Sequence, residues 1–346
     1  MSRRSMSSGR GERRMGMTLV DSPAVAVRSG AASDVEDIEQ YRRELTGYCY
    51  RMLGSAFEAD DAVQETMVRA WRNLDSFEGR SALRSWLYRI ATNVCLDMLR
   101  GRQRRARAMD IGGPHTTDSF RGDTLAEQAW MTPIPDARVL PVDGDPAELA
   151  AERETIRLAF VAALQHLPAR QRAVLILREV LRWQAAEVAE LLDTSVASVN
   201  SALQRARATL AEREISESDV RTDDAEQQEL LARYVDAFER YDIESLVALL
   251  HEDAVMTMPP YNFWLRGPAE MAKFFVGPGI PCKNSRLIAT AANGAYAFGS
   301  YKPDPDGGYM PWAVQVIEVS GDRIVGHHNF IGDQNFELFG LPPHLS

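Results

Sequence analysis

Residues 167–210 read LPARQRAVLILREVLRWQAAEVAELLDTSVASVNSALQRARATL, and this stretch decides how the chain is to be understood. Ala185, Val188, Ala189 and Leu192 recur at the spacing of one helix face and stop at Asp193-Thr194. Ser195 then stands where a side-chain oxygen caps a second helix, whose buried stripe is predicted as Val196, Val199 and Leu203. A helical pattern over 170–181 precedes both and completes a helix-turn-helix layout. The second helix carries Ser198, Asn200, Ser201, Gln204 and Arg205 on or beside its polar side, with Arg207 near its end. Hydroxyls, amides and guanidinium groups can meet base edges and phosphates. A small helical bundle with no DNA role shares this periodicity, so spacing alone leaves both readings open. Arg182 lies between the helices where glycine would give an easy C-cap, so capping rules do not fix that turn.

LPARQRAVLILREV, AAEVAELL and SVASVNSALQRAR together resemble region 4, the promoter-reading C-terminal module of extracytoplasmic-function sigma factors. The Leu-Pro-x-x-x-Arg start and the Arg-Ala-Arg ending agree with that family. Where many relatives carry basic residues in mid-helix this chain has Asn200 and Ala202. That lowers the electrostatic part of the contact and leaves Arg205 and Arg207 to carry more of it.

Upstream, 35–107 is helical by pattern. Tyr41, Leu45, Tyr48, Met52 and Leu53 form one stripe, and Ala62, Val63, Thr66, Met67 and Ala70 another. Leu83, Trp86, Leu87, Ile90, Val94 and Met98 form a third, before an Arg-rich track at 100–105. DDAVQETMVRAWRNLDSFEGRSALRSWLYRIATNVCLDMLRGRQRR, residues 60–105, resembles region 2 of the same family. The resemblance implies that Asp61, Gln64, Glu65, Arg69 and Trp71 grip the clamp coiled coil of the polymerase beta-prime subunit. It also implies that the loop from Asp75 to Arg80, with Ser85, Arg89 and Asn93, engages the opened downstream element. A flipped base needs a snug polar pocket, and a melted strand needs positive charge and stacking surfaces. Arg84, Arg89, Arg100, Arg102, Arg104 and Arg105 can supply that charge. Read without the family, Trp86 is a core aromatic, Trp71 lies at the edge of core and interface, and Asp60 and Asp61 are helix-start acids.

The bulk numbers fit several domains: 346 residues with a net charge of −10. Such acidity argues against a general nucleic-acid coat protein, but the charge is uneven. Residues 81–107 hold seven Arg and one acid, whereas 211–229 hold eight acids and two Arg. Cys49, Cys95 and Cys282 are scattered, with no metal spacing, and Cys49 and Cys95 read as buried thiols of a reducing compartment. No metal or cofactor is expected. The basic first residues lack an apolar core behind them, and no run reaches membrane-span length, so a cytoplasmic location with no membrane contact is expected.

The predicted organisation is a disordered tail (1–34), a helical region 2 domain (35–107) and a flexible linker rich in Gly, Pro and Asp (108–147). A helix-turn-helix domain (148–215), an acidic linker (216–224) and an α+β domain (225–346) follow. The linker would let the two reading modules reach separated promoter elements; Trp130, Met131, Pro133 and Ile134 are conspicuously apolar within it and could dock on a neighbour. Helical patterns at 225–241, 243–250 and 268–275 and strand-like runs at 251–258, 282–292, 295–301, 310–319 and 323–330 give a cone with a curved antiparallel sheet. Tyr241-Asp242, HEDAVMTMPP, WLRG and the terminal strand resemble the SnoaL-like, or ketosteroid-isomerase-like, superfamily. Met258, Tyr261, Trp264, Trp312 and His328 are candidate lining for a small-ligand pocket, though Met and aromatic residues of this kind are more often core. His327 and His328 alternate on a strand, so at most one points inward. No acid-base pair at a fixed spacing argues for catalysis, and no catalytic residue is assigned.

The combined resemblance implies a non-enzymatic sigma factor. It would bind core RNA polymerase through the beta-prime clamp and the beta flap, read the -35 element with the helix-turn-helix and open the -10 element with region 2. The appended domain would modulate it through intramolecular contacts. Two other readings are an isomerase or cyclase with a DNA-binding adaptor, and an autonomous helix-turn-helix regulator.

Overall fold

The computed structural model describes residues 38–74, 82–212 and 225–346. The N-terminal tail, Asp75, Arg80 and the acidic linker at 216–224 lie outside the described residues.

Helices α1 (Arg42–Leu53), α2 (Ala56–Arg72) and α3 (Leu83–Met98) form the first module. Their apolar stripes are buried, including Leu45, Tyr48, Met52, Ala62, Val63, Leu87 and Val94, and a one-sided stripe holds a helix against its neighbours. Gly54 ends α1 with a left-handed φ of 71°, a conformation open to glycine. Ser55 Oγ then accepts the Glu58 N–H at 3.4 Å and starts α2.

A short helix α4 (Asp136–Val139) leads to α5 (Pro146–Ile156), α6 (Leu158–Gln165) and α7 (Ala169–Leu175), which runs on through a π-turn over Ile176–Val180. Helices α5 and α6 are separate because Arg157 is extended (ψ 143°) between them. Helices α8 (Ala185–Leu191) and α9 (Val196–Ala211) complete the helix-turn-helix. Arg182 takes the left-handed conformation itself, φ 57°, and Ser195 Oγ caps α9 by accepting the Ser198 N–H at 3.2 Å. Val196 departs from its predicted burial and is 44% exposed. The buried stripe is Val199, Leu203 and Ala206, spaced i, i+4, i+7, and Val196 precedes it in the first turn.

The last module opens with α10 (Ala225–Arg240) and α11 (Ile243–Ala248). Its sheet has the order β2-β1-β6-β5-β4-β3, made of β1 (Leu250–Thr257), β2 (Trp264–Arg266), β3 (Arg286–Ala292), β4 (Ala295–Pro303), β5 (Tyr309–Ser320) and β6 (Arg323–Ile331). Helix α12 (Pro268–Val276) crosses between β2 and β3, and α13 (Gln334–Leu338) follows β6. The sheet is mixed, not purely antiparallel, because β1 lies parallel to β6. A sixth strand, β2, lies outside the strand-like runs of the sequence and forms through pairing of Met256 with Leu265.

The two faces of this sheet serve different cores. Val319, Ile317, Ile324 and Phe298 pack with Leu230, Tyr234 and Phe238 of α10 and with Met271, Phe274 and Phe275 of α12. Val314, Val316, Phe330, Ala292 and Ala297 instead join one continuous core with the helical modules. Residues 108–147 also differ from the expected flexible tether. Trp130, Met131 and Ile134 are 2%, 2% and 0% exposed, and such burial outweighs the ordering cost that Gly- and Pro-rich composition suggests. Among the described residues no helix is long and apolar enough to cross a membrane.

Candidate nucleic-acid interface

Helix α2 presents Asp61, Gln64, Glu65, Val68 and Trp71 along one exposed face. Trp71 is 61% exposed, outside the core, and Val68 is 37% exposed. Arg69 is half-buried and holds Glu65 at 2.6 Å. Trp71, Val68 and Gln64 border a groove of about 350 Å³ that continues to Met67, Ile38 and Arg42. Val68 is not among the sequence candidates, yet its place seven residues after Asp61 and three before Trp71 puts it on their face.

Helix α3 places Asn93 in solvent and Ser85 half-buried. Arg84 and Arg89 turn toward the helix-turn-helix module instead of facing outward. Arg84 Nε donates to Glu44 at 2.6 Å, and its guanidinium lies 5.5 Å from the Tyr88 ring and 5.4 Å from the Trp183 ring. Burial works most strongly against the Arg84 charge, but the bond to Glu44, the Glu44 charge and the Tyr88 hydroxyl together outweigh it and hold its pKa above the ordinary value. Arg89 reaches the Glu190 carbonyl at 3.5 Å and its carboxylate at 3.6 Å. The Tyr88 and Trp183 rings meet tilted by 59°, with centres 5.0 Å apart. Further on, Arg100 is exposed beside Asp97 at 3.2 Å, and Arg104 is exposed against His166 at 2.9 Å. Arg102 and Arg105 converge on Glu58, and Arg105 is buried there.

On α9, Ser198, Asn200, Ser201, Gln204, Arg205 and Arg207 are all exposed, as is Val196 at its start. Arg207 pairs with Glu179 at 2.6 Å. An exposed Val beside these polar groups offers the apolar contact that a thymine methyl takes in a major groove. Behind the helix-turn-helix, the Arg172 of the Leu-Pro-x-x-x-Arg motif is buried. It donates to Gln165 Oε1 at 2.6 Å, to the Leu167 carbonyl at 3.1 Å and to the Met52 carbonyl of α1. Burial lowers its pKa to about 10, which leaves it charged at neutral pH.

The five pocket candidates of the cone do not meet in one cavity. Met258 is buried in the cone core, and Trp312 is half-buried under the Lys302 ammonium at 3.8 Å. Trp264 faces the opposite way from Leu265 and donates to the Gly112 carbonyl at 2.9 Å beside Trp130. Tyr261 lies against Phe120 of the connecting segment, ring centres 5.5 Å apart. Phe120 also meets Phe263 at 4.9 Å and Phe274 at 5.9 Å, so the segment's own ring closes this end of the cone. His328 lies on the sheet face turned to the helical modules, where it meets Thr257 Oγ1 at 3.0 Å and Glu318 at 3.3 Å. Burial raises the Glu318 carboxyl, but its bond to His328 and the charges of His328, Arg107 and Arg157 outweigh this and leave it below the ordinary range. His327 is the inward histidine, 2.9 Å from Tyr234 Oη and 3.4 Å from Asn329 Nδ2. Burial, helped by His328, lowers its pKa to about 3, so it is neutral. Among the described residues no group of three or more His, Cys, Asp or Glu is placed to hold a metal.

The β3–β4 turn, Asn293-Gly294, enters the helical modules. Asn293 is 1% exposed and donates through Nδ2 to Tyr50 Oη and to the Ile156 carbonyl, both at 2.7 Å. Its Oδ1 accepts the Ile134 N–H at 3.0 Å, and Asp136 accepts the Gly294 N–H at 2.8 Å. A Cβ on Gly294 would stand 2.8 Å from the Arg153 carbonyl oxygen, so the approach requires glycine.

Two helical modules, one a helix-turn-helix with an exposed polar face, under an appended α+β cone define a nucleic-acid-reading protein with a third module docked on it. The chain matches the Sigma-70 region 2 model at 38–105, the Sigma-70 region 4 model at 157–210 and the SnoaL-like domain model at 231–327. It is 44% identical over 311 residues to ECF RNA polymerase sigma factor SigG of Mycobacterium tuberculosis, covering 89% of this chain and 83% of that one. With SigJ of the same organism identity is 27% over 301 residues, 83% of this chain and 87% of that one. The crystal structure of SigJ shares the fold, with a TM-score of 0.58 at 22% identity over 89% of this chain and 100% of that one. The chain belongs to the ECF RNA polymerase sigma factor family, and its function is promoter-specific transcription initiation.

Proposed function

We propose that the α2 face of Asp61, Gln64, Glu65, Val68 and Trp71 binds the clamp coiled coil of the beta-prime subunit. The helix-turn-helix module engages the beta flap, and α9 reads the upstream element. Helix α3, the adjoining loop and the Arg track open the downstream one. The observation that carries this reading is the exposed Trp71–Val68 pair on a face of acids and amides, since an aromatic anchor ringed by polar groups is the usual centre of a protein interface. The cone acts as a regulator within the cytoplasm and not as a catalyst. In support, its histidine–carboxylate pair is covered by the helical modules and its inward His327 is engaged by Tyr234 and Asn329.

The conformation with Arg84 on Trp183 and Arg89 on Glu190 is a closed one. Those guanidinium groups are shared with α8 and its preceding turn, and promoter elements a helical turn or more apart lie at least ~34 Å from each other. Opening therefore accompanies promoter engagement. The test of the polymerase surface is Trp71→Ala in the full chain. Affinity for core polymerase falls by roughly 30-fold, about 2 kcal/mol, with no change in thermal stability. Unchanged affinity would remove α2 from the interface.

A further inference from the structure

The end of α1, the first turn of α2, the chain that follows α3, the connecting segment and the α6–α7 corner meet around a cavity of about 500 Å³. Arg102, Arg104, Arg105 and Arg172 line it together with a single carboxylate, Glu58. Four guanidinium groups less one carboxylate leave three positive charges in excess, within a chain whose net charge is −10. We propose that this cavity binds a nucleoside polyphosphate, its phosphates among the guanidinium groups and its nucleoside against the apolar wall of Leu53, Leu99 and Leu167. Arg102 and Arg104 belong to the track assigned above to the downstream element, so ligand and strand are alternative partners for them.

The charge is available because most of it is not paired. Arg102 and Arg105 share Glu58, and Arg105 also donates to the carbonyls of Glu127, at 3.1 Å, and Trp130. Arg104 and Arg172 have no carboxylate partner among the described residues. Arg104 lies exposed against the His166 ring at 2.9 Å. Asp110, the acid whose charge reaches that ring, is held by Arg107 at 3.2 Å. Arg172 is 5% exposed and donates only to neutral oxygens, among them Gln165 Oε1 at 2.6 Å and the Leu167 carbonyl at 3.1 Å. Such acceptors orient a guanidinium without cancelling its charge, and burial keeps that charge from being screened. Phosphate oxygens match the planar fork of arginine and several phosphates in a row match several forks. The volume lies in the range of small-molecule sites, roughly 300–1,000 Å³. Gln103 and Gln128 are exposed among the lining residues, where their amides can meet the edge of a base. Walls drawn from five parts of the chain suit a compact ligand, whereas a continuous strand follows a groove.

The test is equilibrium dialysis of the full chain, without polymerase, against GTP, guanosine, inorganic phosphate and a single-stranded oligothymidylate. Because polymerase is absent, the result stands apart from the sigma-factor reading. GTP is expected to bind with a Kd of about 0.1 mM or tighter. Guanosine and inorganic phosphate, each carrying half of the recognised group, are expected to bind more weakly than GTP by about tenfold or more. Arg104→Ala removes an unpaired charge and Gln103→Glu adds an opposing one, both at exposed positions. Each is expected to weaken GTP by about tenfold and to leave the melting temperature unchanged. No GTP binding up to about 5 mM would overturn the proposal, as would a GTP affinity unaltered by either variant. Inorganic phosphate bound as tightly as GTP would reduce the cavity to a simple anion site and overturn it as well. Retention of the oligothymidylate without GTP would assign these arginines to the melted strand alone, with the same consequence.

Discussion

Arg172 shows what a motif residue does when its environment is visible. Its guanidinium ties α7 to the end of α6 and to α1 through carbonyl oxygens. Replacing it with Met strands several buried acceptors, and chemical denaturation should show a loss of roughly 3 kcal/mol. The motif was readable in the sequence, but its role was not, because its acceptors come from residues as far away as Met52. His327 is a second case. Folding holds it neutral with a pKa near 3, against an ordinary value of 6.5. Below 6.5 the unfolded chain takes up a proton that the folded chain refuses, so stability falls as pH drops from 6.5 toward 3. By about pH 5 the loss from this residue is roughly 2 kcal/mol. Glu318, with its depressed pKa, contributes stability above its unfolded value that is lost at lower pH. Denaturation across this range should show the His327 component disappear in His327→Gln, and an unchanged slope would place the titration elsewhere. Strand alternation put the two histidines on opposite faces. Which one faced inward was hidden, because it depends on which side of the sheet the helical modules cover.

At the scale of elements, the helices were the most legible parts. Each buries one face against near neighbours, and its period is written in consecutive residues such as Val188, Ala189 and Leu192. Two things escaped. The parallel β1–β6 pair joins residues some seventy apart, Met256 with His327 for example, and no local pattern records it. The connecting segment escaped because its Gly, Pro and Asp content argues for disorder, while a few side chains decide its fate. Phe120 anchors one part of it, and the backbone around it is held to the cone by His115 N to Trp264 O at 2.9 Å and Leu125 N to Pro260 O at 3.0 Å. Neighbouring residues such as Thr116, Asp118 and Asp123 are exposed, so the Phe120 ring supplies the apolar contact of this part, beside the Thr117–Glu270 bonds at 2.8 and 2.9 Å. Phe120→Ala should therefore speed hydrogen exchange at the His115 and Leu125 amides by at least tenfold and leave α1 and α2 amides unchanged. Equal exchange in the two proteins would show that the ring is not the anchor.

At the scale of the molecule, the modules are distinct in sequence but not in packing. One hydrophobic core runs from Leu45 and Met52 through Met131 and Ile134 to Val314 and Phe330. The family resemblance located both reading modules and the cone, since each carries its own motifs. It did not show that the cone's sheet supplies part of the helical core, because Val314 and Val316 look the same in sequence whether they face their own helices or another module. The surfaces proposed for polymerase and promoter divide accordingly. The faces of α2 and α9 are open, whereas Arg84 and Arg89 of α3 are engaged. The measurement that bears most directly on this account is promoter-dependent transcription by purified core polymerase with the full chain, using selected genomic DNA as template. The account predicts initiation at defined sites that depends on the added chain and is lost with Trp71→Ala. Failure to initiate on any template, while a control sigma factor works on its own promoters with the same core, would contradict it.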